Sequence, residues 1–130
     1  MHAESGLRTF KTKPFARFVR REGIGDGALC DAVARIANGL VDADLGGGVF
    51  KQRIARPGRG RSGGVRALLV LRRGDCAFFV HGFAKSDRAN LRRTELGAVR
   101  ALAEEMLGLD EVGLEAMLAN GTISEVNCDG

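Results

Sequence analysis

The sequence predicts an α+β domain in which helices cover one face of a small, mainly antiparallel sheet of about four strands. Two observations predict this fold. Apolar residues recur at helical spacing in the first 40 residues and again after residue 94, whereas residues 49–83 contain runs with the period of a strand. The strands of that middle segment follow one another closely, so they pair most simply as an antiparallel meander. The chain of 130 residues is long enough for one such domain.

Two helices are expected near the beginning of the chain. Residues 1–7 are expected to form a flexible leader, and a short strand follows up to Lys11. Thr12 can cap the first helix, with Pro14 in its first turn, and Gly23 ends it. Asp26 can cap the second helix. Its apolar face is expected to contain Leu29, Val33, Ile36 and Leu40, at spacings of four, three and four.

The middle and the end of the chain predict strands followed by helices. Residues 41–48 contain two Asp and three Gly residues, a composition that indicates a loop. Strands are predicted over 49–55, 65–71 and 76–83, with a loop of Pro, Gly and Ser over 56–64 and a turn at 74–75. Thr94 can cap a helix that ends at Gly108, and Asp110 can cap a short one through Leu118. The last residues show no clear pattern.

The charge is divided unevenly along the chain. Residues 1–100 contain 20 basic and 9 acidic residues, a net charge of +11, whereas residues 101–130 contain 7 acidic residues and no basic one. The densest basic stretch, from Lys51 to Arg73, has eight basic residues and no acidic one. Such a stretch favours a polyanionic partner such as RNA, although a solvated basic face remains the simpler alternative.

Composition also bounds the setting of the protein. No apolar run is long enough for a membrane-spanning helix, and no secretory signal is visible, so a cytoplasmic protein without a membrane partner is expected. Cys30, Cys76 and Cys128 lie far apart. An odd number of cysteines without pairing fits a reducing compartment, and their spacing argues against a zinc site. No metal ligand set and no cofactor-binding motif is found.

Strand period places several basic side chains on one face of the predicted sheet. Lys51 and Arg53 project from the face opposite Phe50 and Ile54, and Arg66 shares a face with Leu68 and Val70. On the last strand of the meander, His81, Phe83 and Lys85 share a face. If the face opposite the helices is a groove, its lining would be Lys51, Arg53, Arg66 and Lys85, with Phe83 among them, which suits single-stranded RNA.

The chemistry of these residues leaves alternatives open. Arginine binds phosphate through permanently charged, bidentate contacts, and lysine acts as a base if neighbouring cations lower its pKa. A cluster of Lys and Arg could therefore cleave RNA without a metal, but Lys51 and Arg53 could equally be phosphate ligands only. His81 lies in an apolar run and fits a structural role better than a chemical one. Phe83 is more often a packing residue than a platform for a base.

Two segments together resemble a known family. FKQRIARPGRGRSGGVRALLV and FFVHGFAKSDRANL resemble, in order and spacing, the RelE/HigB superfamily of toxins from type II toxin–antitoxin modules, and the HigB-like branch in particular. The resemblance covers residues 8–107 as a toxin domain and leaves residues 108–130 as an acidic C-terminal extension. It implies a small fold with a curved sheet, a metal-independent endoribonuclease that cleaves mRNA, usually on the ribosome, and a cognate antitoxin as partner.

The resemblance also assigns expected roles to residues. Lys51 and Arg53 are similar to the two basic residues of the family's central strand, one a candidate general base and the other a phosphate ligand. Arg66 resembles the arginine that stabilises the transition state, and Lys85 resembles the basic residue after the last strand. The expected catalytic residues are therefore Lys51, Arg53, Arg66 and Lys85. Where the archetypal toxin has an arginine after that lysine, this chain has Ser86, and the nearest replacement is Arg88. The expected RNA contacts are Arg56, Arg59, Arg61, Phe83 and Arg88.

A second class of function remains as an alternative. The alternative is a non-catalytic module of the same fold, which either binds nucleic acid or, as a ParE-like toxin, inhibits a topoisomerase. ParE-like proteins share the fold but lack the basic catalytic residues. The presence of Lys51, Arg53 and Arg66 together favours the nuclease. The sequence gives neither the codon preference nor the oligomeric state.

Overall fold

The computed structural model describes residues 7–55, 64–72, 75–84 and 93–128. Along the chain the elements are β1 (Arg8–Thr12), α1 (Lys13–Glu22), α2 (Asp26–Ala37), β2 (Ala43–Gly46), β3 (Val49–Ile54), β4 (Val65–Arg72), β5 (Cys76–Ala84), α3 (Arg93–Leu107), α4 (Glu111–Ala119) and β6 (Ile123–Val126). The six strands of these described residues form one mixed sheet in the order β2-β3-β4-β5-β1-β6.

The predicted α+β class and the central meander are confirmed, but the strand count is not. β3, β4 and β5 pair antiparallel as expected, β1 adds to β5 in parallel, and β2 and β6 form the two edges. The two edge strands are additional to the predicted four. β2 was expected to be a loop because of its Asp and Gly content, but Gly47 and Gly48, with φ of 64° and 84°, make a tight turn that returns the chain into β3.

The prediction that helices cover only one face is wrong, because the sheet is packed on both. α1 and α2 contribute Phe15, Leu29 and Val33 to one apolar cluster, together with Ala67 and Leu69 of β4. α3 and α4 contribute to a second cluster on the other side, with Val99, Met106 and Leu114 beside the alternate β4 residues Leu68 and Val70. An uninterrupted apolar strand such as β4 is typical of burial on both faces. We call these the α1/α2 face and the α3/α4 face.

Helix α1 begins and ends at the predicted residues. The Thr12 hydroxyl accepts a hydrogen bond from the Phe15 N–H at 3.3 Å, and Pro14 lies in the first turn. Gly23 ends the helix with φ of 72°, a conformation that glycine adopts without strain. Phe18 of this helix packs so closely on Gly82 of β5 that a Cβ atom there would overlap its ring.

Helix α2 differs from its prediction at both ends. Gly25 is its N-cap residue, and Asp26 makes no capping hydrogen bond. The Asp26 carboxylate instead accepts hydrogen bonds from Lys11 Nζ and from the Asn127 N–H, each at 3.1 Å, so that it joins α2 to β1 and the end of β6. The helix ends at Ala37, and Leu40, expected on its apolar face, is 61% exposed.

The acidic C-terminal segment is part of the same packed structure. Asp110 caps α4, as predicted, by accepting a hydrogen bond from the Gly113 N–H at 2.8 Å. Leu114 of α4 and Ile123 of β6 are buried in the α3/α4 cluster. α3 begins at Arg93, one residue before the predicted cap. Within the described residues no helix has the length and apolarity that crossing a membrane requires.

The expectation that the cysteines are unpaired is wrong for two of the three. Cys30 of α2 and Cys128 after β6 form a disulfide with their Cα atoms 5.5 Å apart, and only Cys76 is free and buried. The sequence could not show this pairing, because it depends on β6. By pairing with β1, that strand carries residue 128 to the side of α2.

Candidate active site

Cross-strand pairing brings four of the predicted site residues together on the α3/α4 face. Arg53, Arg66 and Phe83 lie directly opposite one another on β3, β4 and β5 and form one row across the sheet. In the neighbouring row on that face, Lys51 and His81 lie on either side of Leu68. All except Leu68 are half-exposed. We call this set Lys51, Arg53, Arg66, His81 and Phe83 the basic cluster.

A β-bulge in β5 turns His81 and Phe83 towards the cluster. Leu69 pairs with Phe79, but the adjacent Leu68 pairs with His81, so Val80 is an extra residue on β5. Strict alternation would have placed His81 and Phe83 with Phe79 on the α1/α2 face. The extra residue reverses the alternation, which puts both rings on the face of Lys51, Arg53 and Arg66.

The cluster occupies one end of a face that was expected to carry no helix. The other end of this face is covered by α3 and α4, whose Val99, Ala103 and Met106 pack on Val70 and Phe78. The apolar surface ends at the row of Leu68, and the half-exposed cationic and aromatic side chains follow it. The cluster thus adjoins an apolar core instead of lying on the opposite side of the sheet from all the helices.

Strand β3 is anchored by the residue between the two cations. Gln52 is fully buried on the α1/α2 face, where its Nε2 donates hydrogen bonds to the carbonyls of Ala32 at 3.3 Å and Leu40 at 3.0 Å. Its Oε1 accepts one from the Asp42 N–H at 3.0 Å. A buried amide with its hydrogen bonds satisfied fixes a strand firmly. Gln52 was not predicted to have this role, although a lone amide between Phe50 and Ile54 on one face was a signal.

The backbone of Arg53 is also held on both sides. Its N–H donates to Asp42 Oδ2 at 2.6 Å, and its carbonyl accepts from Arg35 Nη2 at 2.6 Å. Asp42 thereby replaces β2, which does not reach this part of β3. Gly64 lies against the Ile54 carbonyl so closely that a Cβ atom would come within 2.9 Å of it. These contacts fix the direction in which Arg53 leaves the sheet.

The central arginine has an unused donor. The Nη1 atom of Arg66 is buried and has no hydrogen-bond partner among the described residues. A buried donor without a partner costs about 1–3 kcal/mol, more when the group is charged. An anionic oxygen at this position would supply the missing partner through a charge-assisted hydrogen bond.

Two aromatic rings border the cationic residues. The rings of His81 and Phe83 have their centroids 6.0 Å apart with an interplanar angle of 35°. His81 was expected to be structural and was not among the predicted site residues. Its common face with Phe83 was predicted, but the face that both rings share with the cations depends on the bulge at Val80, which alternation does not show. The remaining predicted residues, Lys85, Arg56, Arg59, Arg61 and Arg88, lie outside the described residues.

The fold and the site together define a small α+β protein that presents clustered cations at one end of a mixed sheet, an arrangement suited to an anionic ligand. The family model described as the RelE toxin of the RelE/RelB toxin–antitoxin system matches residues 7–126. The chain therefore belongs to the RelE toxin family. The match extends from just before β1 to the end of β6. No curated protein is significantly similar to the chain. Membership of this family implies a toxin with a cognate antitoxin as its partner.

Proposed function

We propose that this toxin is an endoribonuclease of the HigB-like kind, which cleaves mRNA in the cytoplasm, on the ribosome, and so inhibits translation. The observation that carries the proposal is the buried Arg66 Nη1 atom, which has no hydrogen-bond partner among the described residues and lies in a row with Arg53 and beside Lys51. A phosphate group of RNA would satisfy this donor. Single-stranded RNA also offers bases that can stack on Phe83.

Cleavage by the 2′-hydroxyl needs charge at the phosphorus and a base. Arg53 and Arg66 supply fixed positive charge for the phosphorane that forms when the 2′-oxygen attacks. Arginine does not release its proton in proteins, so the base among the three cations is Lys51. A lysine accepts a proton through its amine nitrogen, so Lys51 is the group that can take the proton of the 2′-hydroxyl. The reaction needs no metal ion and gives a 2′,3′-cyclic phosphate.

Further roles follow from the resemblance rather than from the geometry. We propose that Lys85, after β5, is a further catalytic residue, and that Arg88, Arg56, Arg59 and Arg61 add contacts to the RNA backbone. Each added phosphate contact strengthens binding and makes it more dependent on salt.

The decisive experiment is induction of the protein without an antitoxin, followed by RNA cleavage with the purified protein. We expect the wild type to stop growth and translation, and Lys51→Ala/Arg66→Ala to lose both effects. Arg17→Ala/Arg20→Ala is a matched control, because it removes two exposed cations from α1 on the other face. It should remain toxic. Melting temperatures show whether each variant is folded.

The assay of purified protein separates cleavage from binding. Cleavage of free single-stranded RNA should continue in EDTA and leave a 2′,3′-cyclic phosphate end. Binding of RNA without any cleavage, free or in the ribosome, would support the non-catalytic nucleic-acid-binding alternative. Growth arrest with intact mRNA and a blocked topoisomerase would support the ParE-like one. A folded Lys51→Ala/Arg66→Ala variant that is fully toxic would remove the basic cluster from the mechanism.

A further inference from the structure

The proposed reaction needs a general acid, and no cation of the basic cluster can supply it. When the P–O5′ bond breaks, the leaving oxygen needs a proton. Arg53 and Arg66 hold their protons too firmly to transfer them, Lys51 acts as the base, and Phe83 has no proton to donate. We propose that His81 is the general acid that protonates the 5′-oxygen. This inference rests on the proposed function and adds a catalytic residue to it.

The position of His81 in the sheet suits that role. In an in-line displacement the attacking and leaving oxygens lie on opposite sides of the phosphorus. Lys51 and His81 pair with the same residue, Leu68, from the two strands that flank β4. Their backbones are therefore about 10 Å apart, twice the spacing between neighbouring strands. Arg66 is the next residue of β4 on that face, about 7 Å along the strand, so a phosphate bound to it has one titratable side chain on each side.

The imidazole is also available to a substrate. His81 is half-exposed and makes no hydrogen bond with the described residues. The ring of Phe83 lies against it on the same face. Both ring nitrogens are thus free to meet RNA. Histidine is the side chain that most often transfers protons in catalysis.

The proposed step is balanced in protons and bonds. The amine of Lys51 takes the proton of the 2′-hydroxyl while the 2′-oxygen forms its bond to phosphorus. The P–O5′ bond breaks, and the imidazolium of His81 gives its proton to the 5′-oxygen. The products are a 2′,3′-cyclic phosphate and a 5′-hydroxyl. Proton exchange with water then returns the lysine and the histidine to their starting forms.

A substrate with sulfur in place of the bridging 5′-oxygen tests this role directly. A thiolate leaves without being protonated, so loss of the general acid no longer matters. We use His81→Asn, with His81→Gln as a second variant, on an RNA that the wild type cleaves and on the same RNA with the bridging sulfur. On ordinary RNA, His81→Asn should be slower by about 10²- to 10⁴-fold. On the sulfur substrate it should come within about tenfold of the wild type.

Controls separate this role from other effects of the substitution. Lys51→Ala should remain slow on both substrates, because the sulfur does not replace the base. Glu104→Gln, an exposed change on α3, should not alter either rate. Equal impairment of both histidine variants on the two substrates, or full activity on ordinary RNA, would overturn the assignment of His81. Failure of the wild type to cleave either substrate, free or on the ribosome, would instead overturn the proposed function.

Discussion

The disulfide between Cys30 and Cys128 should contribute strongly to the stability of this small toxin. It closes a loop with a sequence separation of 98 residues. In the chain-entropy treatment, a cross-link across about 100 residues lowers the free energy of the folded state relative to the unfolded chain by about 4.7 kcal/mol. For a domain of this size, about 3–5 °C in melting temperature corresponds to each kcal/mol. Reduction should therefore lower the melting temperature by about 14–24 °C.

The measurement is urea or thermal unfolding of the oxidised protein with and without dithiothreitol. Cys30→Ser/Cys128→Ser should match the reduced wild type, and the reductant should not change it further. Cys76→Ala is the matched control, because Cys76 is free and buried, and the effect of the reductant should persist in it. If the denatured, unreduced protein has three free thiols instead of one, the pairing does not form and the reasoning fails. In a reducing cytoplasm the relevant stability is that of the dithiol form.

Three other substitutions test features of the fold. Gln52→Met leaves three buried or half-buried backbone groups without their hydrogen-bond partner. The free energy of unfolding, measured with urea, should therefore fall by about 2–4 kcal/mol. Unchanged stability would show that the amide does not anchor β3. The hydrogen bonds from Arg72 hold the pKa of Asp75 below its usual range. The ionised carboxylate therefore stabilises the fold fully above a pH of about 4, which is the pKa of Asp in the unfolded chain. This stabilisation is lost as the pH falls through the lower pKa of the folded state. The stability difference between wild type and Asp75→Asn should shrink over that range in pH-dependent unfolding, and a constant difference would contradict the assignment. Gly82→Ala should lose about 1–3 kcal/mol through overlap with Phe18, and Phe18→Leu should restore part of it; additive losses in the double variant would refute the overlap.

Strand period accounts for the part of the site that could be predicted. Lys51, Arg53 and Arg66 lie on unbroken alternation in β3 and β4, so their common face followed from counting residues. The helix caps Thr12 and Asp110 could also be predicted, because a short polar side chain directly before a helix commonly caps its N-terminus. The apolar run of β4 is typical of a strand covered on both faces, although the prediction placed helices on one face only.

The unpredicted features depend on partners distant in sequence. β6 is only four residues long and has no alternation of its own, so its existence follows from the free edge of β1. The disulfide in turn depends on β6. Val80 is apolar like its neighbours, and nothing local marks it as the extra residue of a bulge. Phe83 does lie on the same face as the cations, as expected. The reason is the bulge at Val80, because strict alternation would have placed its ring on the other face.

The sheet order has a consequence for how the chain folds. β3, β4 and β5 pair with their neighbours in sequence, and they carry all five residues of the basic cluster. β1 instead pairs with β5 and β6, which are distant in sequence, so that its pairing with β6 closes a loop of almost the whole chain. Because local pairings form before distant ones, we expect the meander to assemble early and the β1–β6 flank to close last. In the reduced protein, the amides of β6 should then exchange with solvent through openings that leave the meander intact.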